Sequence, residues 1–118
     1  MTTIFWVVGD PSADLHCANV IRELQQLEPG VRNVGLGGPN MEKEGFVLLY
    51  DLCSNAIMGF VEVIKHLGDM RRLIKDTVEH IKEYQPDVVV LVDYPGFNLL
   101  MGPIIKKLEI PIVYYISP

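Results

Sequence analysis

The chain has 118 residues, of which 49% are hydrophobic, and carries a formal net charge of −5 at pH 7. This length supports one modest hydrophobic core, so we expect a single domain over residues 1–118. The acidic balance and scattered basic residues argue against nucleic acid as a partner. The first apolar run is too short for a signal peptide or membrane span. The distant Cys17 and Cys53 predict buried thiols in a reducing cytoplasm.

Short apolar runs bounded by Gly, Pro or Asp alternate with helical periodicities along the chain. Such runs are typical of strands that are buried on both faces of a parallel sheet. The predicted strands are Thr3–Val8, Val31–Gly35, Val47–Tyr50, Asp87–Val92 and Pro111–Ile116. The predicted helices are Pro11–Leu27, the apolar repeat from Met70 to Tyr84, and Leu99–Leu108.

This alternation predicts an α/β fold, a doubly wound and mainly parallel sheet of about five strands with right-handed crossovers. We expect the strand order 3-2-1-4-5, which places the ends of the first and fourth strands side by side. Ligands of open α/β sheets bind at that switch point. Because no covering helix follows the last strand, we also expect the chain to be part of something longer.

The first strand-to-helix turn, Gly9–Asp14, has two interpretations. Gly9 permits a tight turn, Asp10 can cap the helix and Pro11 is favoured at its first position. Helix capping thus explains every residue of the turn except Asp14. In the functional interpretation, free N–H groups at the helix start face a ligand. Two nearby carboxylates would repel phosphate, so sugar hydroxyls are the preferred ligands.

Three glycines lie within Gly35–Asn40, directly after the second predicted strand. They allow close backbone approach, either to a ligand or within an ordinary turn, and we favour the turn. The first turn lacks the G-x-G-x-x-G pattern of dinucleotide binding. We therefore predict no cofactor, and we see no metal-binding cluster.

The segment Ala56–Leu67 is apolar on nearly every side of a predicted helix. A helix of this kind is normally buried, but a small domain has little room to bury one. One alternative is a core helix in which Met58 fills space. The other is a partly exposed patch that serves as an acyl-chain groove, a membrane-docking face or the interface of a homo-oligomer.

A lone carboxylate, Asp93, follows the apolar run Val88–Val92. A charge at this place costs free energy unless it is paired or used, so we favour an active-site role over a structural one. In a cleft, the carboxylate would act as a general base on a substrate hydroxyl. Asn98 offers amide hydrogen bonds in the turn that leads into the last helix.

Five segments, in this order, resemble the amino-terminal half of the lipid-A-disaccharide synthases, a family of GT-B glycosyltransferases. They are VGDPSAD, GLGGPNMEKEGF, AIMGFVEVIKHL, DVVVLVDYPGFN and IPIVYYISP. The resemblance spans nearly the whole chain and implies a Rossmann-like acceptor-binding domain whose carboxyl-terminal nucleotide-sugar domain is absent. The 118 residues alone are therefore expected to be inactive.

The implied reaction transfers diacylglucosamine from its UDP donor to diacylglucosamine 1-phosphate, with inversion and without a metal, during lipid A biosynthesis. Its partners would be lipid-linked sugars and the inner-membrane surface, which the enzyme would meet as a peripheral protein from the cytoplasm. The resemblance aligns Asp93 with the acid of the family's Asp-x-Pro-x-Phe-Asn turn, which makes it the candidate base. The acceptor is expected against Gly9, Asp10, Ser12, Asp14, Gly37, Gly38 and Asn98. The acyl chains and the bilayer are expected against Met58, Phe60, Val61 and Ile64.

The first motif departs from the family pattern Gly-Glu-x-Ser-Gly-Asp at two positions. Asp10 replaces the glutamate and Ala13 replaces the second glycine, so the loop has a shorter reach and a stiffer helix start. Both changes bear on how the acceptor binds. They leave the predicted role of Asp93 untouched.

Two alternatives come from other classes of protein. The segment PDVVVLVDYPG is similar to the phosphoacceptor strand of response-regulator receivers. Receivers, however, carry paired acids after the first strand and a lysine after the fifth, where this chain has Gly9–Pro11 and Ser117–Pro118. Without that lysine, phosphoryl chemistry lacks its cation. The second alternative is a non-catalytic interaction module that uses the apolar helix.

Overall fold

Within residues 2–54, 67–92 and 95–115, which the computed structural model describes, five parallel strands form one sheet. The strands are β1 (Thr3–Val7), β2 (Arg32–Gly37), β3 (Val47–Asp51), β4 (Val88–Val92) and β5 (Ile112–Tyr115). The helices are α1 (Pro11–Leu27), α2 (Pro39–Lys43), α3 (Leu67–Tyr84) and α4 (Pro95–Lys107). The sheet order is β3-β2-β1-β4-β5, and every pairing is parallel. This order confirms the predicted doubly wound α/β fold.

The position of β1 in the sheet distinguishes a receiver domain from the predicted strand order 3-2-1-4-5. Receiver-like sheets have the order 2-1-3-4-5, in which the first strand lies between the second and the third. Here β1 lies between β2 and β4, and Val7 pairs with Leu91 in register. The topology therefore argues against a receiver domain.

Alternating side chains of the strands point to opposite faces of the sheet, and each face has its own core. One core joins the strands to α3 and α4 through residues that include Phe5, Val7, Val34, Leu36, Ile81, Val89, Leu91, Met101 and Ile105. The other joins them to α1 and α2 through residues that include Trp6, Val8, Ala13, Cys17, Ile21, Met41, Phe46, Val90 and Val92. Each large apolar side chain buried in this way contributes about 1.5–3 kcal/mol.

Strand β2 runs two residues beyond its predicted end at Gly35, to Gly37, and the chain then passes through Gly38 into helix α2. Gly35 has φ +141°, and a Cβ on it would lie 2.2 Å from the carbonyl oxygen of Trp6. The pairing of β2 with β3 also shifts register directly after Gly35. The glycine is therefore required by close packing of two strands, which local turn chemistry does not reveal.

The bounds of the helices show which of them local sequence signals predict correctly. Helix α1 covers Pro11–Leu27 as predicted, because capping and proline chemistry mark its start. Helix α4 begins at Pro95, four residues before the predicted start at Leu99, since proline again suits a first helical position. Helix α2 is an element that the sequence patterns do not predict. The apolar segment at residues 55–66 lies outside the described residues.

Candidate functional site

The carboxyl ends of β1 and β4 lie next to each other at one edge of the sheet. The two strands pair from Ile4 with Val88 to Val7 with Leu91. After β1 the chain passes to α1 on one face, and after β4 it passes to α4 on the other. This is the switch point at which open α/β sheets bind ligands.

Asp10 caps helix α1 in the way that the structural interpretation predicts. Its Oδ1 accepts hydrogen bonds from the N–H and the hydroxyl of Ser12, both at 2.8 Å. These bonds, that of the Ser12 side chain above all, lower the pKa of Asp10 below its ordinary value. Asp10 and Ser12 are exposed, whereas Gly9 is buried at the end of the strand. The turn therefore presents a capped and ordered helix start.

Asp14, which capping of α1 leaves unexplained, caps a second helix. Its side chain is buried, with 2% of its surface exposed. Oδ2 accepts from the backbone N–H of Asn40 at 3.1 Å and from its Nδ2 at 3.0 Å. Oδ1 accepts from the backbone N–H of Met41 at 3.0 Å. The carboxylate thus satisfies the first two N–H groups that α2 can offer.

Gly37 and Gly38 connect β2 to α2 beside this carboxylate. A Cβ on Gly38 would lie 2.4 Å from Cγ of Asp14, and a Cβ on Gly37 would lie 2.7 Å from Sδ of Met41. The carbonyl of Gly37 also accepts from the N–H of Cys53 at 3.1 Å. Packing against the hydrogen-bonded Asp14 carboxylate therefore favours glycine at position 38, whereas a side chain at position 37 would require the flexible Met41 side chain to move.

Asn98 joins helix α4 to the end of β4. Its Nδ2 donates to the carbonyl of Val92 at 2.6 Å, and 8% of the residue is exposed. Among the described residues, its Oδ1 has no hydrogen-bond partner although it is buried. A buried acceptor without a donor costs about 1–3 kcal/mol, so this oxygen is an unusual feature of the end of β4.

The two cysteines are free and buried, as predicted. Burial, and then the charge of Asp14, raises the pKa of Cys17 to about 12. Burial likewise raises the pKa of Cys53 to about 12. Sγ of Cys53 donates to the carbonyl of Val8 at 3.3 Å. Burial therefore disfavours the thiolate, which is the reactive form, at both positions.

The structure brings together Gly9, Asp14, Gly37 and Gly38 at one corner, and it places Asn98 at the end of the neighbouring strand β4. Asp93 lies outside the described residues, as do Met58, Phe60, Val61 and Ile64, so their predicted roles stay predictions. Sequence reasoning missed Asn40 as the partner of Asp14. The available signal was the pair Gly38–Pro39, a helix start whose first residues carry no capping oxygen.

Two properties of the described ranges bear on partners and cofactors. None of the helices in these ranges combines the length and the apolar character needed to cross a membrane. Within the same ranges, no three His, Cys, Asp or Glu side chains come close enough together to hold a metal ion.

Comparison with known proteins gives one consistent result. The family model described as lipid-A-disaccharide synthetase matches residues 4–118. The lipid-A-disaccharide synthase of Nitrosococcus oceani is 41% identical over 112 residues, which are 95% of this chain and 29% of that protein. The synthase of Geobacter sulfurreducens is 37% identical over 98% of the chain and 30% of the relative. That of Coxiella burnetii is 34% identical over 98% and 31%. The chain thus spans about 30% of the length of these relatives.

Proposed function

Because the chain belongs to the lipid-A-disaccharide synthase family, we propose that it is the acceptor-binding domain of a glycosyltransferase of lipid A biosynthesis. The observation that carries this proposal is the family match over residues 4–118. The donor would be UDP-diacylglucosamine and the acceptor diacylglucosamine 1-phosphate. The nucleotide-sugar domain would lie in the part of the protein that this chain does not span.

In the proposed reaction, Asp93 is the general base. Its carboxylate takes the proton from the attacking hydroxyl of the acceptor, and the oxygen forms a bond to the anomeric carbon of the donor. The bond from that carbon to the UDP oxygen breaks, and UDP leaves with the electron pair. Attack from the face opposite UDP inverts the anomeric centre, and no step requires a metal ion.

Asn98 would hold the acceptor beside this base. Its Nδ2 is already bonded to the carbonyl of Val92, the residue directly before Asp93. The unpartnered Oδ1 would therefore be the atom that accepts a hydrogen bond from an acceptor hydroxyl. A single side chain would then fix both the end of β4 and the substrate.

The lipid part of the substrates needs an apolar surface. We assign it to Met58, Phe60, Val61 and Ile64, which would receive the acyl chains and meet the bilayer. The protein would then work as a peripheral enzyme at the cytoplasmic face of the inner membrane. The net charge of −5 gives this domain no general attraction to anionic lipid, so apolar contact would have to dominate.

The test is turnover by the full-length enzyme with both lipid substrates. Asp93→Asn should lower kcat by about 10²-fold or more, because loss of a general base removes a rate factor of this size. The matched control is Asp87→Asn, directly before the opposite end of β4, where the carboxylate accepts from the N–H of Thr3 at 2.8 Å. This control should keep its kcat. An unchanged kcat in Asp93→Asn would remove that residue from the mechanism.

A further inference from the structure

Asp14 lies in the first turn of α1, but its carboxylate takes no part in capping that helix. The capping of α1 is done by Asp10. The three hydrogen bonds that the Asp14 carboxylate accepts from Asn40 and Met41 come from residues 26 or 27 positions further along the chain. The carboxylate therefore links two strand-to-helix connections that are remote in sequence.

Helix α2 depends on this link because it has no cap of its own. Its N-cap residue is Gly38, which has no side chain to accept a hydrogen bond, and Pro39 at the first position has no N–H. The N–H groups of Asn40 and Met41 are the first that require acceptors, and Asp14 satisfies both. The N-terminus of α2 is thus capped by the carboxylate of Asp14, which is distant in sequence, and not by its own N-cap residue.

This arrangement fixes the two glycines against the first turn. The Cα of Gly38 packs so closely on the Asp14 carboxylate that no Cβ fits between them. The carbonyl of Gly38 accepts from the N–H of Glu42 at 3.2 Å, and that of Gly37 accepts from Cys53. The connection after β2 is therefore held both by α2 and by the neighbouring connection after β1.

We infer that Asp14 is a positioning residue, which orders the Gly37–Gly38 connection for the acceptor and does not itself contact the sugar. This inference rests on the proposed function, since the family resemblance leads us to expect the acceptor of that reaction against the two connections that Asp14 joins. Its carboxylate already accepts three hydrogen bonds in a buried place. Substrate groups held on a displaced loop lose orientation, and small displacements of this kind are costly to rate.

The experiment measures kcat and KM for each substrate with the full-length enzyme. Asp14→Ala should lower kcat/KM for the acceptor by about 10²-fold. We expect the acceptor KM to rise while the donor KM stays unchanged. The matched control is Glu42→Gln, an exposed acid of the same short helix, which should leave both KM values unchanged.

A merely structural role gives a different result. Loss of folded enzyme lowers the apparent kcat in proportion to the inactive fraction and leaves both KM values as they were, and this outcome would overturn the inference. A wild-type enzyme that makes no disaccharide from the two lipid substrates would instead overturn the proposed function. The two failures are therefore distinguishable.

An exchange of the two side chains tests the mechanism if Asp14→Ala fails to fold. Asp14→Asn keeps the volume of the side chain but turns an N–H toward the Asn40 amide. When Asp14→Asn is combined with Asn40→Asp, the amide introduced at position 14 can donate to the carboxylate introduced at position 40, and its Oδ1 can accept from the N–H of Met41. The backbone N–H of residue 40 then loses its acceptor, so the exchange restores two of the three hydrogen bonds. We expect the double variant to recover part of the acceptor KM that Asp14→Asn loses. Additive losses would show that Asp14 does not act through α2.

Discussion

Two corners of the sheet's carboxyl edge differ in how their polar groups are satisfied. At the first corner, formed by the β1–α1 turn and the start of α2, the carboxylates of Asp10 and Asp14 together accept five hydrogen bonds. At the second corner, formed by the end of β4 and Asn98, a buried oxygen has no partner among the described residues. The difference suggests a division of labour. On the proposed function, the first corner holds the local structure in place, and the unpartnered oxygen of Asn98 is the atom that would accept a hydrogen bond from the substrate.

Gly38→Ala should disrupt the packing of the first corner and cause the largest loss of stability among the proposed variants. The new Cβ would fall 2.4 Å from Cγ of Asp14, so the carboxylate or the backbone must move. Overpacking and the loss of the α2 cap together should lower the free energy of unfolding by about 3 kcal/mol. Urea denaturation of the variant and wild type measures this. Gly30→Ala, whose Cβ would meet nothing within 4 Å, is the matched control. Equal stability in all three proteins would contradict a tight first corner.

Asn98→Ala, at the second corner, should cost little stability but lower the activity substantially. This is the reverse of what we expect for Gly38→Ala. The variant loses the bond to Val92 but also removes a buried oxygen without a partner, so we expect a cost of about 1 kcal/mol. The acceptor kcat/KM should fall about tenfold, since one substrate hydrogen bond is lost.

Asn33→Ala is the control for this second prediction. Asn33 is also a buried asparagine with one unpartnered amide atom, Nδ2, in the part of the chain that the structure describes. It lies near the amino end of β2, where its Oδ1 accepts from Nε1 of Trp6 at 2.9 Å. This variant should lose stability and keep its acceptor kcat/KM. Equal kinetic losses in both variants would show that the effect of Asn98 is not local to the site.

The smallest effect concerns the pH dependence of the first corner. Hydrogen bonds from Ser12 hold the pKa of Asp10 below its ordinary value of 3.8. The folded state therefore gains stability from ionised Asp10 above that value, and loses it as the pH falls through the lower pKa of the folded protein. The Tm of the wild type should exceed that of Asp10→Ala by more at about pH 6 than at about pH 3. A constant difference in Tm would refute this role of Asp10.

The sequence predicts the elements and the strand order of the sheet better than the contacts between individual residues. Periodicity and proline positions set the bounds of α1, and the alternation of elements indicates the order of the sheet, because both follow from local chemistry and chain connectivity. The partner of Asp14 could not be predicted, since Asn40 is 26 residues away and comes near only when β1 and β2 pair in register. The predicted end of β2 at Gly35 is two residues too early for the same reason. The true constraint on this glycine is the backbone of Trp6 on the adjacent strand.

Cys17 and Cys53 are buried near the first corner, so their rate of alkylation reports local opening of the protein. Both thiols have pKa values of about 12 in the folded state, so alkylating reagents find almost no thiolate there at neutral pH. Cys17 lies on the buried face of α1, so its labelling requires excursions in which α1 moves away from the sheet, and the labelling rate measures those excursions. Cys53 follows β3 and is hydrogen-bonded to the carbonyl of Val8, so its labelling reports movement of that segment. The rate at which this part of the protein opens can therefore be measured with its native cysteines, without an introduced label.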